Sequence, residues 1–250
     1  MKLLVIVLCI LSERYLVHAA SYYRFHWFAA YSNSVTQKLP HNGLFANSFV
    51  ALAALILPIL IIVGIVLALF DNVLFGFISL LLNLLIFYYC LGPVNPFYPI
   101  SLPEEDSESE EVAGRYFAKV NNQLFAVIFW FIVAGPLGAL LYRLLSLCKS
   151  HEVAKPAAEL LSGYLDWVCA RITLMLYLLV GNFQKGFHYY MQMFLSSPRN
   201  NDEILETGGL LAARTSDVDV VTLPYAQNFV EHALIVYLVF IAFFTLVAWL

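Results

Sequence analysis

Charge is what this chain has least of: Asp, Glu, Lys and Arg make up 12% of its 250 residues, against 62% apolar side chains. Soluble domains average about 25% charged and 45–50% apolar residues, so a soluble domain could not cover its surface with this composition. Intrinsic disorder is excluded by the same numbers, since it needs low hydrophobicity and high charge. The mean hydropathy of +0.80 places the chain in a membrane, and the lipid bilayer is its first expected partner. Basic clusters are also missing. A net charge of −4 leaves no cationic stripe for a polynucleotide, so no nucleic-acid partner is expected.

Paired cysteines are absent as well. Cys9, Cys90, Cys148 and Cys169 stand far apart in sequence, with no C-x-x-C pair, which argues for buried thiols rather than a disulfide framework or a zinc knuckle. Neither Gly-x-Ser-x-Gly nor His-Glu-x-x-His occurs, and His18, His26, His41, His151, His188 and His232 lack ligand spacing. Gly181 to Gly186, GNFQKG, has two phosphate-loop glycines but continues into Phe187 and His188 where Lys and Ser or Thr are required. No cofactor, metal or catalytic residue is therefore expected.

What is present is a series of long apolar runs. A bilayer core about 30 Å thick needs about 20 apolar residues of helix, because lipid cannot satisfy open backbone groups. Phe49–Phe70, Val73–Leu91, Leu124–Leu145 and Ala233–Leu250 meet or approach that length, the first two separated only by Asp71 and Asn72. Leu165–Val180 carries Asp166 and Arg171 near its start and reads as a short span or a re-entrant helix, the span being preferred. Leu3–Leu11 follows Lys2 and precedes Glu13 and Arg14. It reads as a signal peptide, with Val17-His18-Ala19 as a cleavage-like triplet, or as the start of a span running through Val17. The expected fold is an all-α, polytopic membrane helical bundle with five to six transmembrane helices, one membrane domain over residues 1–250. The distribution of Lys and Arg between loops leaves its sidedness open.

Between the spans, Ser21–Tyr31 (SYYRFHWFAAY) has the aromatic content of an interfacial helix. An acidic, Pro-rich loop is expected at 92–122, with Pro93, Pro96, Pro99 and Pro103 followed by six carboxylates from Glu104 to Glu111. Residues 183–229 are expected to form a polar, amphipathic loop, the chain's soluble face.

A charge at the centre of a membrane helix costs about 2.5–3.5 kcal/mol on insertion scales, so it needs a partner or a wet cavity. Glu13, Arg14, Arg143, Asp166, Arg171 and Glu231 lie within or beside the runs. Asp166 and Arg171, five apart, sit about 140° apart around a helix and cannot pair well with each other. The expectation is an intramembrane polar cluster of Glu13, Arg14, Arg143, Asp166 and Arg171, with Glu13 or Asp166 opposing Arg143 or Arg171. The alternative is snorkelling interface charges without function.

Two stretches carry a family resemblance: LFAVIFWFIVAGPLGALLYR at Leu124–Arg143 and LDWVCARITLMLYLLVGN at Leu165–Asn182. Together they resemble the AmpE family of bacterial inner-membrane proteins, associated with regulation of β-lactamase induction, and its larger relative, the CobD/CbiB family of cobalamin biosynthesis. The N-terminal run ending in Glu13 and Arg14 is also similar to AmpE, which favours an uncleaved N-terminus. The matching positions are Phe129, Trp130, Gly135, Pro136, Gly138, Tyr142, Arg143, Leu165, Asp166, Trp167 and Arg171. Cys169 stands where both families usually have proline. The resemblance implies a multi-pass inner-membrane protein with a non-catalytic signalling role in β-lactamase induction and cell-wall stress, and a membrane or cytoplasmic protein partner. The alternative it carries is an adenosylcobinamide-phosphate synthase, with Arg143 and Arg171 clamping phosphate or carboxylate. The Ser-Arg-Asp and Glu-Asn motifs of that enzyme family are missing, with only RYFAKVNN at Arg115–Asn122, and so is its Pro-Asn-containing stretch in the last loop, with NDEILETGGLLAA at Asn201–Ala213 in its place.

Overall fold

A computed structural model describes residues 2–15, 25–38, 47–70, 76–92, 109–214 and 220–247. The cleavage-like triplet, the Asp71–Asn72 break, the four loop prolines and the carboxylates Glu104 to Glu108 lie outside the described residues. Among those described, every regular element is helical: α1 (Lys2–Tyr15), α2 (His26–Lys38), α3 (Ser48–Phe70), α4 (Phe77–Cys90), α5 (Glu110–Val120), a π-helical turn (Asn121–Phe125), α6 (Ala126–Cys148), α7 (Lys155–Val180), α8 (Phe183–Met193), a 3₁₀ turn (Pro198–Asn200), α9 (Asn201–Ala213) and α10 (Leu223–Val247).

Among the described residues four helices are long and apolar enough to cross a membrane: α3, the continuous Glu110–Cys148, α7 and α10. α4, at 14 residues, is apolar but shorter. The segment around Asp166 belongs to a helix that begins at Lys155 and runs for 26 residues, longer than the Leu165–Val180 apolar run by itself.

In two stretches expected as loops, 92–122 and 183–229, most of the described residues are helical. In the first, Ala113, Tyr116, Phe117 and Val120 recur at helical spacing and are buried, while Glu110 and Glu111 occupy the first turn, where carboxylates favour the helix dipole. In the second, α8, the 3₁₀ turn, α9 and the start of α10 replace the polar loop across 183–229. The Gly208-Gly209 pair, a loop signal in isolation, is a packing device: a Cβ on Gly209 would lie 2.7 Å from the Phe117 ring, and one on Gly208 2.7 Å from Leu174. Side-chain-free positions let α9 close onto α5 and α7.

The chain divides into two compact units, Met1–Pro93 with Val127–Leu165, and Val94–Ala126 with Asp166–Leu250. In the first, α1 lies along α4, and the Cys9 thiol donates to the Leu84 carbonyl at 3.4 Å. Phe87 and Phe131 pack ring to ring at 4.6 Å. Outward positions of α3 and α4 such as Leu57, Ile61, Ile65, Leu69, Leu81 and Leu85 are exposed and apolar, as a lipid-facing surface requires. Asn83, the polar residue inside α4, returns its amide to the Ser79 carbonyl of its own helix at 2.8 Å.

In the second unit α5 packs on α9 and α10, and α9 on α8. Its core is aromatic: Tyr177 sits 5.1 Å from Phe117 and 5.9 Å from Phe125, and Phe125 5.8 Å from Tyr237. The π-helical turn places Asn121 inside, where its side-chain oxygen accepts from the Thr173 hydroxyl at 2.8 Å. π-turns widen the backbone locally and reorient side chains in this way.

Candidate functional site: buried cations at helix ends

Arg171 is 4% exposed. Its guanidinium has five N–H donors, and all are engaged by neutral acceptors of its own unit. Nε donates to the Phe194 carbonyl at 3.2 Å, and Nη1 to the Trp167 carbonyl at 3.2 Å and Asn201 Oδ1 at 2.5 Å. Nη2 reaches the Met193 carbonyl at 3.4 Å and Ser196 through its carbonyl at 3.1 Å and Oγ at 2.9 Å. Met193 and Phe194 end α8, so the cation sits on orphan carbonyls at the negative end of a helix dipole.

Trp167, one turn earlier on α7, completes this clasp. Its indole N–H donates to the same Ser196 carbonyl at 2.9 Å, its ring lies 4.5 Å from the Arg171 guanidinium carbon, and its edge meets Phe194. Two residues of one α7 face thus hold the α8–α9 connection. Where a carboxylate was expected opposite either Arg143 or Arg171, carbonyls and an amide supply the negative potential at Arg171.

Arg143, in the other unit, also reaches the end of a helix. It is 3% exposed, donates through Nε to the Cys90 carbonyl at 2.6 Å, and lies 6.0 Å from the Phe25 ring centre. Cys90 is the last residue of α4, so this arginine also caps a helix C-terminus. Glu13 is buried at 1% and Arg14 half-buried on α1 in that same unit, while Asp166, buried at 6%, belongs to the unit of Arg171.

A third cation serves a backbone break. Gly135 has φ +71° and Pro136 follows it inside α6. Proline removes the N–H that would bond the carbonyl four residues back; that carbonyl is Ile132, and it accepts instead from Lys2 Nζ at 2.8 Å. Gly138 belongs to the same kink, because a Cβ there would stand 2.4 Å from Ala134 Cβ and 2.8 Å from the Trp130 carbonyl. Phe129 and Trp130 meet edge to face at 5.2 Å just before it. Tyr142 is buried and Leu165 half-buried. The positions that carried the family resemblance thus fall on a glycine–proline kink and on the Trp167–Arg171 clasp.

The glycines of GNFQKG also have packing roles. Gly181 approaches the Ala212 carbonyl so closely that a Cβ would be 2.1 Å from it, and one on Gly186 would be 2.2 Å from Leu178. Asn182 donates its backbone N–H to the Ala212 carbonyl at 2.7 Å and caps α8 by accepting from the Lys185 N–H at 3.2 Å. Beside this elbow a cavity of about 480 Å³ is lined by Arg214, Tyr225, Asn228 and His232 among others. Arg214 is held by a bidentate pair with Glu110, Nε to Oε1 at 2.9 Å and Nη2 to Oε2 at 2.6 Å. All four cysteines are buried thiols outside any disulfide, and among the described residues no group of three or more His, Cys, Asp or Glu could hold a metal.

Sequence reasoning located the buried cations, but it gave Ser196 and Asn201 no role as partners of Arg171 and Lys2 none as a partner of the Ile132 carbonyl. The usable signal was weak: Ser196-Ser197-Pro198 closes the α8 run and Gly92-Pro93 the α4 run, both marking carbonyls that need donors. Among the described residues the architecture is all-helical, with four helices long and apolar enough to cross a membrane. No protein-family model, curated protein or solved structure matches the chain.

Proposed function

We propose that this is a non-catalytic, multi-pass protein of the bacterial inner membrane, of the AmpE type, acting in the regulation of β-lactamase induction and the response to cell-wall stress. In this reading α4 and α1 join the four long helices to give five to six crossings, and signalling works through a protein partner or a conformational change. The observation that carries the non-catalytic side is the saturation of Arg171: every guanidinium N–H is directed at a protein oxygen. A synthase using Arg171 to clamp phosphate would have to dismantle the end of α8 in each turnover. The regulatory side is supported by the resemblance at the α6 kink and at Leu165–Arg171.

Deletion of the gene in its host tests this reading, with β-lactamase induction and β-lactam susceptibility scored beside growth that depends on corrinoid salvage. An altered induction profile with normal corrinoid growth is expected. Normal induction with a corrinoid requirement would replace the regulatory reading by the synthase, and normal behaviour in both would remove the AmpE assignment.

A further inference from the structure

α8 divides its surface into three sectors by chemistry. At about 100° per residue, Tyr189, Met193 and Gly186 turn inward, with Gly186 against Leu178 of α7. The outward surface is split. Phe183, Phe187 and Met191, continued by Phe194 at the C-cap, fall within about 80° of one another and are all exposed. Gln184, His188 and Gln192 occupy the adjoining sector, also exposed, with His188 and Gln192 hydrogen-bonded at 2.7 Å.

The aromatic sector is ordered ring against ring while more than a third of each phenylalanine stays open. Phe183 stacks on Phe187 at 4.8 Å, Phe187 on Tyr190 at 6.3 Å, and Tyr190 meets Phe194 at 5.5 Å, a continuous ladder of rings along the helix. Water on such a surface is unfavourable, and contiguous exposed apolar patches mark an interaction site. We infer that this ladder is a lipid-contacting surface and that α8 lies at the boundary between bilayer and water, its aromatic sector in lipid and its Gln/His sector wet.

Three observations select lipid as the occupant. Only two residues separate α8 from α7, a helix long and apolar enough to cross a membrane. In the same unit α10, itself long and apolar enough to cross a membrane, presents Ile235, Val239, Phe243, Phe244 and Leu246 outward, so this unit already carries exposed apolar surface on a candidate span. The two outward sectors differ in polarity side by side, which suits a helix at a water–lipid boundary, where ring faces are half-buried and polar tips stay hydrated. The clasp of Trp167 and Arg171 fixes the far end of α8 and so holds the ladder in one orientation. This lipid contact rests on the membrane reading of the chain and not on a role in β-lactamase induction, so the deletion experiment cannot decide it.

Spin labels at single introduced cysteines test the inference in the full chain reconstituted in phosphatidylcholine–phosphatidylglycerol vesicles. The variants are Phe187→Cys and Met191→Cys for the aromatic sector, and Gln184→Cys and His188→Cys for the polar one. The unsubstituted chain, whose cysteines are buried, is the labelling control. Met191 is outside the ring ladder, so its variant remains informative if Phe187→Cys folds poorly. The ratio of collision with oxygen to collision with a water-soluble nickel chelate is expected to be several-fold higher at 187 and 191 than at 184 and 188. Equal ratios at the four sites, or preferential nickel access at 187 and 191, would overturn the lipid contact. So would labels at 187 and 191 shielded from both reagents with dipolar broadening, which would mean that a second copy covers the ladder.

Discussion

Replacing Arg171 by Met keeps most of the side-chain length and removes every donor. The Met193, Phe194 and Ser196 carbonyls then lose their charged partner, and Asn201 loses its contact at 2.5 Å. Hydrogen bonds to charged groups contribute about 1.5–3 kcal/mol net each, but bonds sharing one donor group are far from additive. The Trp167 indole still donates to Ser196, and removing the buried charge also removes its desolvation cost. These terms together leave a net loss of about 3–4 kcal/mol, at the upper end of single-residue effects. For a chain of this size that corresponds to a melting temperature roughly 6–16 °C lower. Thermal unfolding in detergent, followed by tryptophan fluorescence, reads the change, with the exposed Arg199→Ala as control. Hydrogen exchange locates it: amides of 194–200 should lose protection first, because the clasp holds that connection. Arg171→Lys, which keeps charge but not the planar fork, should fall between the two. Indistinguishable melting of Arg171→Met and Arg199→Ala would refute the clasp as a source of stability.

Three further outcomes follow from the packing and the backbone. Lys2→Met should destabilise the first unit by about 1–2 kcal/mol through the unpaired Ile132 carbonyl, and by less in a Pro136→Ala background that restores an N–H to α6; a double-mutant cycle on melting temperature measures the coupling. Gly209→Ala should cost about 1–3 kcal/mol by overpacking against Phe117, seen as reduced thermal stability and increased hydrogen exchange in α5 and α9. Burial first, and then the Asp202 carboxylate, raise the Glu206 carboxyl above its usual range, with Arg115 opposing and Glu111 and Glu203 adding to the rise. An acid whose folded pKa is raised contributes stability that is complete below the unfolded value and is lost as pH rises through the folded one. Glu206→Gln should therefore melt higher than the parent at neutral and alkaline pH, with the difference shrinking as pH falls below the ordinary carboxylate range; a constant difference across that range would contradict the burial of this group.

The sequence by itself determined the helical, membrane-compatible class, because hydropathy and helical length are local properties of each run. It also located the buried charges, since Glu13, Arg143, Asp166 and Arg171 stand beside apolar stretches and are all buried. It did not reveal that α5, α8 and α9 are helices, because their burial depends on one another: the Gly208–Gly209 face is useful only when Phe117 and Leu174 are opposite it. Nor did it reveal what satisfies the cations. Charge-counting directs Arg171 to a carboxylate, whereas the fold brings it to a helix end more than 20 residues on; the fold also brings Arg143 to the carbonyl of Cys90 and Lys2 to a carbonyl freed by a proline 134 residues later in the chain. Backbone carbonyls are present at every residue and leave no mark in a sequence. Which of them are orphaned, and which side chain reaches them, is decided only when the helices end and pack.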